Sequence, residues 1–382
     1  MPYSTTVTDK LHSIAAQQWN ALDDSGNPFL RHEFLDALEQ NDCLGPRWGW
    51  LPQHILVHDD NKRLVGAMPM YIKDNSYGEL VFDWAWAQAY QQHGLAYYPK
   101  LVAAIPYTPV TGPRLLCAAG NEQDTIKSGI ARAALDHARQ LDVSSLHILF
   151  PDEHDTRILE QHGMMKRVGV QFHWHNNDYH SFDDFLAALA SKKRKQIRQE
   201  RRRVRDAWIE IELLSGHDTT DRHWQIFHDF YCSTFYRKSG HPTLSLAFFI
   251  ELAQRMPDEV LLIMAKHNNE YVAGAFNLRG RDTLYGRHWG CSAHFDKLHF
   301  EVCYYAAIEY CIEVGLQRFE AGAQGEHKLS RGFLPVPTWS AHWIAHEGFR
   351  DAIADFVERE QHGMEHYTEV LGEHSPFRQG GN

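Results

Sequence analysis

The sequence predicts an α/β protein built as two tandem units, each a mixed central sheet flanked by helices. Three observations predict it. At 382 residues the chain is longer than one ordinary core supports. Short apolar or alternating runs take turns with amphipathic stretches, the pattern of strands and helices sharing a sheet. The order of these elements in the first half also returns in the second.

In the first half, HILVHDD and RLVGAMPMYIKD flank the polar pair Asn61-Lys62 and read as two strands of a hairpin. TGPRLL reads as a short strand. From about Glu122 to Leu141, Ile126, Ile130, Ala134 and Ala138 recur every four residues, an amphipathic helix. SSLHILF is a strand, DEHDTRILEQHG a short helix stopping at Gly163, and RVGVQFHWHN another strand. In the second half, VLLIMAKH and EYVAGAFNLRG flank an Asn-Asn turn, TLYGRHWG is a third strand, and FEVCYYAAIEYCIEVGL is a helix stopping at Gly315. RFEAGAQ and VPTWSAHWIA are further strands. Gly66-Ala67 with Tyr77-Gly78, and Gly274-Ala275 with Tyr285-Gly286, recur at one interval, as a duplication would leave them. The expected domains are residues 1–178, a degenerate substrate-side copy, and 179–382, with the boundary near Asn176 to Ser181.

A basic segment opens the second domain. Nine of the fourteen residues from Lys192 to Arg205 are Lys or Arg, with Glu200 the single acid, in a chain whose net charge is −11. Ser181 and Asp184 form a capping pair, and no Gly or Pro intervenes before Gly216, so one helix of about 25 residues, roughly 40 Å, is expected. Leu186, Ala190, Ile197, Val204 and Trp208 form its narrow apolar stripe. The cations surround that seam. They suit phosphate contacts, RNA or anion binding by a non-catalytic protein, or pairing with the surplus acids elsewhere. If all nine met single-stranded phosphates, the log–log salt slope would be about −6.

Composition narrows the classes. With 43% apolar and 23% charged residues the chain is globular. No apolar run approaches the roughly 20 residues that cross a bilayer, and the N-terminus lacks a signal-peptide pattern, so a cytoplasmic protein is expected. Six scattered cysteines without a C-x-x-C pair read as free thiols. His173 and His175 share one strand face without a third ligand at a supporting interval, and no metal is expected despite 26 histidines. Neither a nucleophile elbow nor a Walker loop occurs.

Two segments carry polar chemistry. Arg287-His288-Trp289-Gly290-Cys291-Ser292 resembles the R-x-x-G-x-G/A loop with which acetyltransferases cradle the pyrophosphate of coenzyme A, with Ser292 in the last small position. Arg287, Gly290 and Ser292 are therefore candidates for donor binding. In FEAGAQGEHKLSRGFLPVPTWSAHW, Glu320, Glu326, His327, Lys328 and Arg331 gather around tight glycine turns. That mixture suits proton transfer and anion binding.

The segments NPFLRHEFLDALE, YYPKL with PYTPVTGPRLL, QFHWHN, KKRKQIRQERRRV, YGRHWG, HFEVCYYAAIEYCIEVGL and FEAGAQGEHKLSRGFLPVPTWSAHW together resemble the FemAB-like N-acyltransferases. These are bacterial proteins concerned with peptidoglycan biosynthesis or recognition. The resemblance runs from about Asn27 to beyond Trp343. It implies two tandem domains of the acyl-CoA N-acyltransferase (GNAT) fold. Better understood Fem transferases move an aminoacyl group from tRNA to a cell-wall peptide precursor, and they are similar in a basic K/R-x-x-x-I-R segment matched here by Arg194, Ile197 and Arg198. This chain departs from them at the donor loop, in the GEHK region and in lacking a long coiled arm, which leaves acyl-CoA and aminoacyl-tRNA both open as co-substrate, with no tightly bound cofactor. The implied partners are that donor and an amine acceptor such as a muropeptide precursor.

N-acyl transfer needs a base for the attacking amine, donors for the oxyanion and an acid for the leaving group. Glu320 or His327 is expected as base, with Glu326 in reserve and Tyr285 as acid. Backbone N–H groups from His288 to Gly290 are expected at the oxyanion or donor phosphates. Lys328 and Arg331 are expected to face substrate anions, and Arg194 and Arg198 to pair with phosphates.

Overall fold

Both predicted hairpins form, and each begins a similar run of strands. The structure, a computed structural model, describes residues 3–322, 325–373 and 375–378. It divides into two compact units, Met1–Val170 with Pro337–Tyr367, and Gln171–Val336 with Thr368–Asn382. The chain therefore passes between units inside a strand, not in the Asn176–Ser181 loop, and residues 337–367 belong with the first unit.

The first unit contains β1 (Tyr3–Thr8), β2 (Trp50–Pro52), β3 (His54–Asp59), β4 (Leu64–Met68), β5 (Met70–Lys73), β6 (Lys100–Ala103) and β7 (Ser145–Leu149). Its helices are α1 (Ala16–Asn20), α2 (His32–Gln40), α3 (Trp84–Gln92), α4 (Gln123–Gln140) and α5 (Glu153–Gln161). Antiparallel β1, β3 and β4 make a small sheet, and β2, β5, β6 and β7 follow one another in a second. The expected single strand over RLVGAMPMYIKD is cut at Pro69, which has no N–H for a ladder, so β4 and β5 serve different sheets. TGPRLL forms only isolated bridges, Gly112 to Pro151 and Leu116 to Ala67. The predicted stripe of α4 is buried: Ile126, Ile130, Ala134 and Ala138 pack with Ile55, Met68, Leu101 and Leu146. Each of the isoleucines, leucines and the methionine in this set contributes about 1.5–3 kcal/mol by leaving water, and each alanine less.

The second unit takes the C-terminal end of β8 (Met165–His175), then α6 (Phe182–Ala188), α7 (Ser191–Asp206), β9 (Ile209–Ser215), α8 (Asp221–Tyr236) and α9 (Leu246–Arg255). β10 (Val260–His267), β11 (Glu270–Arg279) and β12 (Thr283–Cys291) follow. Next come α10 (Leu298–Phe300), a π turn (Glu301–Tyr305), α11 (Ala306–Glu313), β13 (Arg318–Glu320), a 3-10 turn (Glu326–Arg331) and β14 (Leu334–Ile344). The strands lie in the order β8, β13, β12, β11, β10, β9. The doubling is visible in pairing. β1 and β9 each lie antiparallel to the first strand of a hairpin, and β6 with β7, like β12 with β13, are parallel neighbours joined through a helix. Gly66 and Gly274 both sit on the second hairpin strand, each with a helix side chain pressed on it (Ile126, Phe227). The other half of the predicted repeat does not correspond, because Tyr77-Gly78 lies in a loop and Tyr285-Gly286 in β12.

The basic segment is not one long helix. It breaks at Leu189-Ala190, without Gly or Pro. Leu189 is extended and fully buried, it bridges Phe377, and the Ala190 N–H donates to the Pro376 carbonyl at 2.9 Å. Pairing with the C-terminal segment of the same unit thus replaces helical bonds. The second helix ends at Asp206, just before Trp208, whose φ is 54° and which is 83% exposed, so this end of the predicted stripe lies in solvent. After β14, the helix α12 (Glu347–Glu373) packs Ile353 and Val357 on Trp86, Tyr90 and Tyr97 of the first unit. Among the described residues no helix is long and apolar enough to cross a membrane.

Candidate active site

β12 and β13 pair only over Thr283–Tyr285 and Arg318–Glu320. Beyond Tyr285, β12 continues to Cys291 while β13 stops at Glu320, so the two parallel strands part. On its other edge β12 carries a bulge: Phe276 faces His288 and Asn277 faces Gly286, leaving Arg287 as the extra residue. A bulge re-aims side chains and disturbs the ladder locally. A cavity of about 140 Å³ lies at this point, lined by Gly286 to Trp289, Phe276 and Ala321. His299, Cys303 and Tyr304, on and beside the π turn, complete the wall.

This corrects one expectation. The Arg287–Ser292 segment is strand, not a turn leading into a helix, and its last residue spends its N–H on the ladder, Ser292 N–H to Val272 O at 2.9 Å. Gly290 is needed for packing: a Cβ there would stand 2.2 Å from the Phe230 carbonyl oxygen of α8. Of the three candidates for donor binding, only Arg287 reaches the cavity. Burial holds its guanidinium down to about 10, opposed by the Glu320 carboxylate, so it stays charged at neutrality.

Glu320 closes β13 between two register partners, Tyr285 on β12 and His173 on β8. It is 4% exposed, its Oε2 has no hydrogen-bond partner among the described residues, and the His173 Nε2 stands 3.9 Å from that oxygen. Arg318 Nε lies 3.3 Å from Oε1. Burial raises Glu320 to about 7 against the pull of Arg318 and Arg287. Burial likewise lowers His173 and His288 to about 3, leaving both imidazoles neutral, and raises Tyr285 above the usual phenol range.

The 3-10 turn carries the remaining candidates. His327 meets the Tyr304 hydroxyl at 2.8 Å through Nε2, and Tyr304 lines the cavity. Lys328 is 2% exposed, donates from Nζ to the Gly322 carbonyl at 2.6 Å, and is lowered to about 8 chiefly by burial. Arg331 does not face solvent or the cavity. Its guanidinium donates to both Glu200 oxygens, to Tyr305 OH and to the His327 carbonyl, and lies 3.4 Å from the Phe300 ring centroid. A cation so fully engaged anchors the turn and has no donor left for a substrate anion. The backbone of Glu326 opens the turn, but its side chain lies outside the described residues.

Arg194 and Arg198 are on α7 and do not line this cavity. Several cations of that helix are paired: Arg198 with Asp183, Arg201 with Glu301 and Glu309, Arg203 with Asp296. Among the described residues Lys192, Lys193, Arg194 and Lys195 carry no ion pair, although Arg194 donates to Ser191 Oγ at 3.5 Å. Sequence reading missed Glu200, Tyr305 and Tyr304, and considered His173 only as a metal ligand. The alternation in HWH was the one signal that could have aimed His173 at Glu320. Among the described residues no cluster of three or more metal-ligating side chains occurs.

In the first unit the corresponding divergence of β6 and β7 is filled. The segment Val110–Leu116 bridges to Pro151, and Arg114, fully buried, donates to the carbonyls of Val110, Gly112, Pro113 and Leu149.

Residues 10–379 match the family described as FemAB-like, peptidoglycan biosynthesis or recognition. No curated protein matches the chain. Among solved structures it is similar to FemX, with TM-score 0.54 and 11% identity over 89% of this chain and 98% of that one. It is also similar to the C-terminal domain of a putative lysylphosphatidylglycerol synthetase from Agrobacterium fabrum (TM-score 0.53, 7% identity, 90% and 96% covered). A third, L-PGS from Bacillus licheniformis, has TM-score 0.51 and 10% identity over 84% and 93%. At these identities the likeness is one of fold, mixed sheets flanked by helices.

Proposed function

This chain belongs to the FemAB-like transferases, and from that premise we propose an N-acyltransferase whose reaction centre is the β12–β13 divergence of the second unit. The donor is an acyl or aminoacyl carrier, a coenzyme A thioester or a charged tRNA. The acceptor is an amine of the kind a cell-wall peptide precursor carries. One observation carries the reading: a buried carboxylate, Glu320, stands at the end of β13 opposite Tyr285 and next in sequence to Ala321 of the cavity wall, and burial raises it to about 7. A base with its pKa near the working pH is half ionised and still strong enough to take a proton.

The chemistry follows the register. As the amine nitrogen bonds to the acyl carbon, its proton passes to Glu320. The carbon–sulfur or carbon–oxygen bond to the carrier breaks, the Tyr285 phenol protonates the leaving atom, and Glu320 returns its proton to Tyr285, its neighbour across the strand pair. Neutral His173 stands 3.9 Å from the Glu320 Oε2 and adds no positive charge to the pull of Arg318. Arg287 sits where the oxyanion or the carrier's phosphates would lie. The filled divergence in the first unit supports placing the reaction in the second. Turnover of Glu320→Gln with a transferred donor tests the assignment: a fall of about 10²–10⁴ is expected, and unchanged turnover removes Glu320 as base.

Phosphate holding by α7 is the second reading, favoured by Lys192, Lys193, Arg194 and Lys195 in its first turns, which carry no ion pair among the described residues. It is compatible with the first, as a grip on the donor or acceptor.

A further inference from the structure

An amide stands in the sheet wall of the cavity. Asn277 lies on β11 between Phe276 and Leu278, at the point where the β12 bulge shifts the register, and its partner across the ladder is Gly286. It is 1% exposed, and both Asn277 and Gly286 line the cavity. A polar side chain so placed costs desolvation unless its groups are bonded.

Half of that amide is satisfied. Its nitrogen donates to the carbonyls of Leu261 and Ala275, both at 3.2 Å, which uses its two N–H groups and fixes the amide plane. The oxygen therefore turns the other way, towards Gly286, and meets no donor among the described residues. Gly286 leaves it room: a Cβ there would stand 3.3 Å from Asn277 Oδ1 and 3.2 Å from the Phe319 ring. A buried acceptor without a partner costs about 1–3 kcal/mol, and an incoming donor recovers it.

The oxygen also limits what that donor can be. A neutral amide oxygen only accepts, so it offers nothing to phosphate or carboxylate oxygens. Phe276, Trp289 and Tyr304 bring rings to the same wall, apolar surface for the carbon atoms on either side of the donor. Each carrier of the acyl-transfer reading has an N–H close in the chain to its acyl carbon. In a coenzyme A thioester it is an amide of the arm, and in an aminoacyl ester it is the α-amine.

Building on that reading, we infer that Asn277 is a donor-binding residue whose Oδ1 accepts an N–H of the acyl carrier, with Gly286 keeping the approach clear. The contact holds the carrier one residue along β12 from Tyr285.

Calorimetric titration of the full chain with two matched pairs tests this. One pair is a hairpin RNA esterified on its terminal ribose with alanine or with propionate, which lacks the amine. The other is acetyl-coenzyme A and its analogue with ester oxygens for the amide nitrogens. One pair should show a gap of at least about tenfold in favour of the N–H form, and which pair does so identifies the source of the N–H. In Asn277→Leu the gap should shrink to about threefold or less. Gly286→Ala crowds the same oxygen from the facing strand and should shrink the gap too, so it carries the test if Asn277→Leu does not fold. If a carrier binds the parent but neither pair shows a gap, or the gap survives in the folded variants, the inference falls and acyl transfer stands. If the parent binds neither carrier, both fall.

Discussion

Glu200, the single acid in the basic segment, holds Arg331 through both carboxylate oxygens, at 2.9 and 3.0 Å, with the two side chains 7% and 4% exposed. Tyr305 completes the cluster by donating to Glu200 and accepting from Arg331 Nε. Arg331 in turn holds the His327 carbonyl at 2.8 Å. The odd acid of a cationic helix is thus the anchor of the turn that carries His327 and Lys328.

Removing one partner of that pair leaves a buried charge alone. Glu200→Gln should cost about 3–5 kcal/mol in urea unfolding, and Arg331→Met a similar amount. The double variant should lose less than the sum, since neither charge is then stranded. Additive losses would show that the two side chains do not act as a pair.

Glu320 ties activity and stability together with opposite signs. Its folded pKa, about 7 against 4.5 for the free group, means that the folded chain keeps a proton which the unfolded chain has released between those values. Stability therefore declines as pH rises from about 4.5 to 7, while the ionised base, and with it activity, grows over the upper part of that range. Glu320→Gln should be inactive yet more stable than the parent at pH 8, read by thermal melting alongside turnover.

The buried imidazoles give the reverse slope. His147 and His342 face each other across β7 and β14 with their Nδ1 atoms 2.7 Å apart, and burial lowers His147 to about 3 and His342 further. The unfolded chain gains protons below about 6.5 that the folded chain refuses, so stability falls as pH drops from 6.5 towards 3. His147→Asn should remove about one proton from that dependence, roughly 1.4 kcal/mol per pH unit, measured as the slope of unfolding free energy against pH.

If α7 grips single-stranded phosphates through Lys192, Lys193, Arg194 and Lys195, the log–log salt slope for RNA binding should be about −3, not the value of about −6 that nine free cations would give. Arg194→Ala should reduce it by about 0.7. Arg203→Ala should leave it unchanged, because Asp296 already occupies that guanidinium. A slope near zero rules out phosphate binding by this helix.

Gly290 separates packing from donor binding. A methyl at that position meets backbone of α8 and not a flexible side chain, so Gly290→Ala should destabilise by about 1–3 kcal/mol. Donor affinity of the remaining folded protein should be unchanged.

Much was legible in the residues because it is set by local chemistry. The turns at Asn61-Lys62 and Asn268-Asn269, the four-residue period of α4, and the glycine stops at Gly163 and Gly315 each depend on a few neighbours, and they form as read. The duplication followed from their order. Glu320 and Tyr285 could be singled out by type, but not as partners: that needed the parallel register of β12 and β13. The break at Leu189, the bulge at Arg287, the loss of Arg331 to Glu200 and the return of residues 337–367 to the first unit arise from contacts far apart along the chain. Local pattern carries no record of such contacts, because the free energy that decides them comes from burying one surface against another. Composition and spacing therefore specified the elements and the stock of reactive groups. Folding decided which groups became structural ties, and it left Glu320 buried with an oxygen that has no hydrogen-bond partner among the described residues.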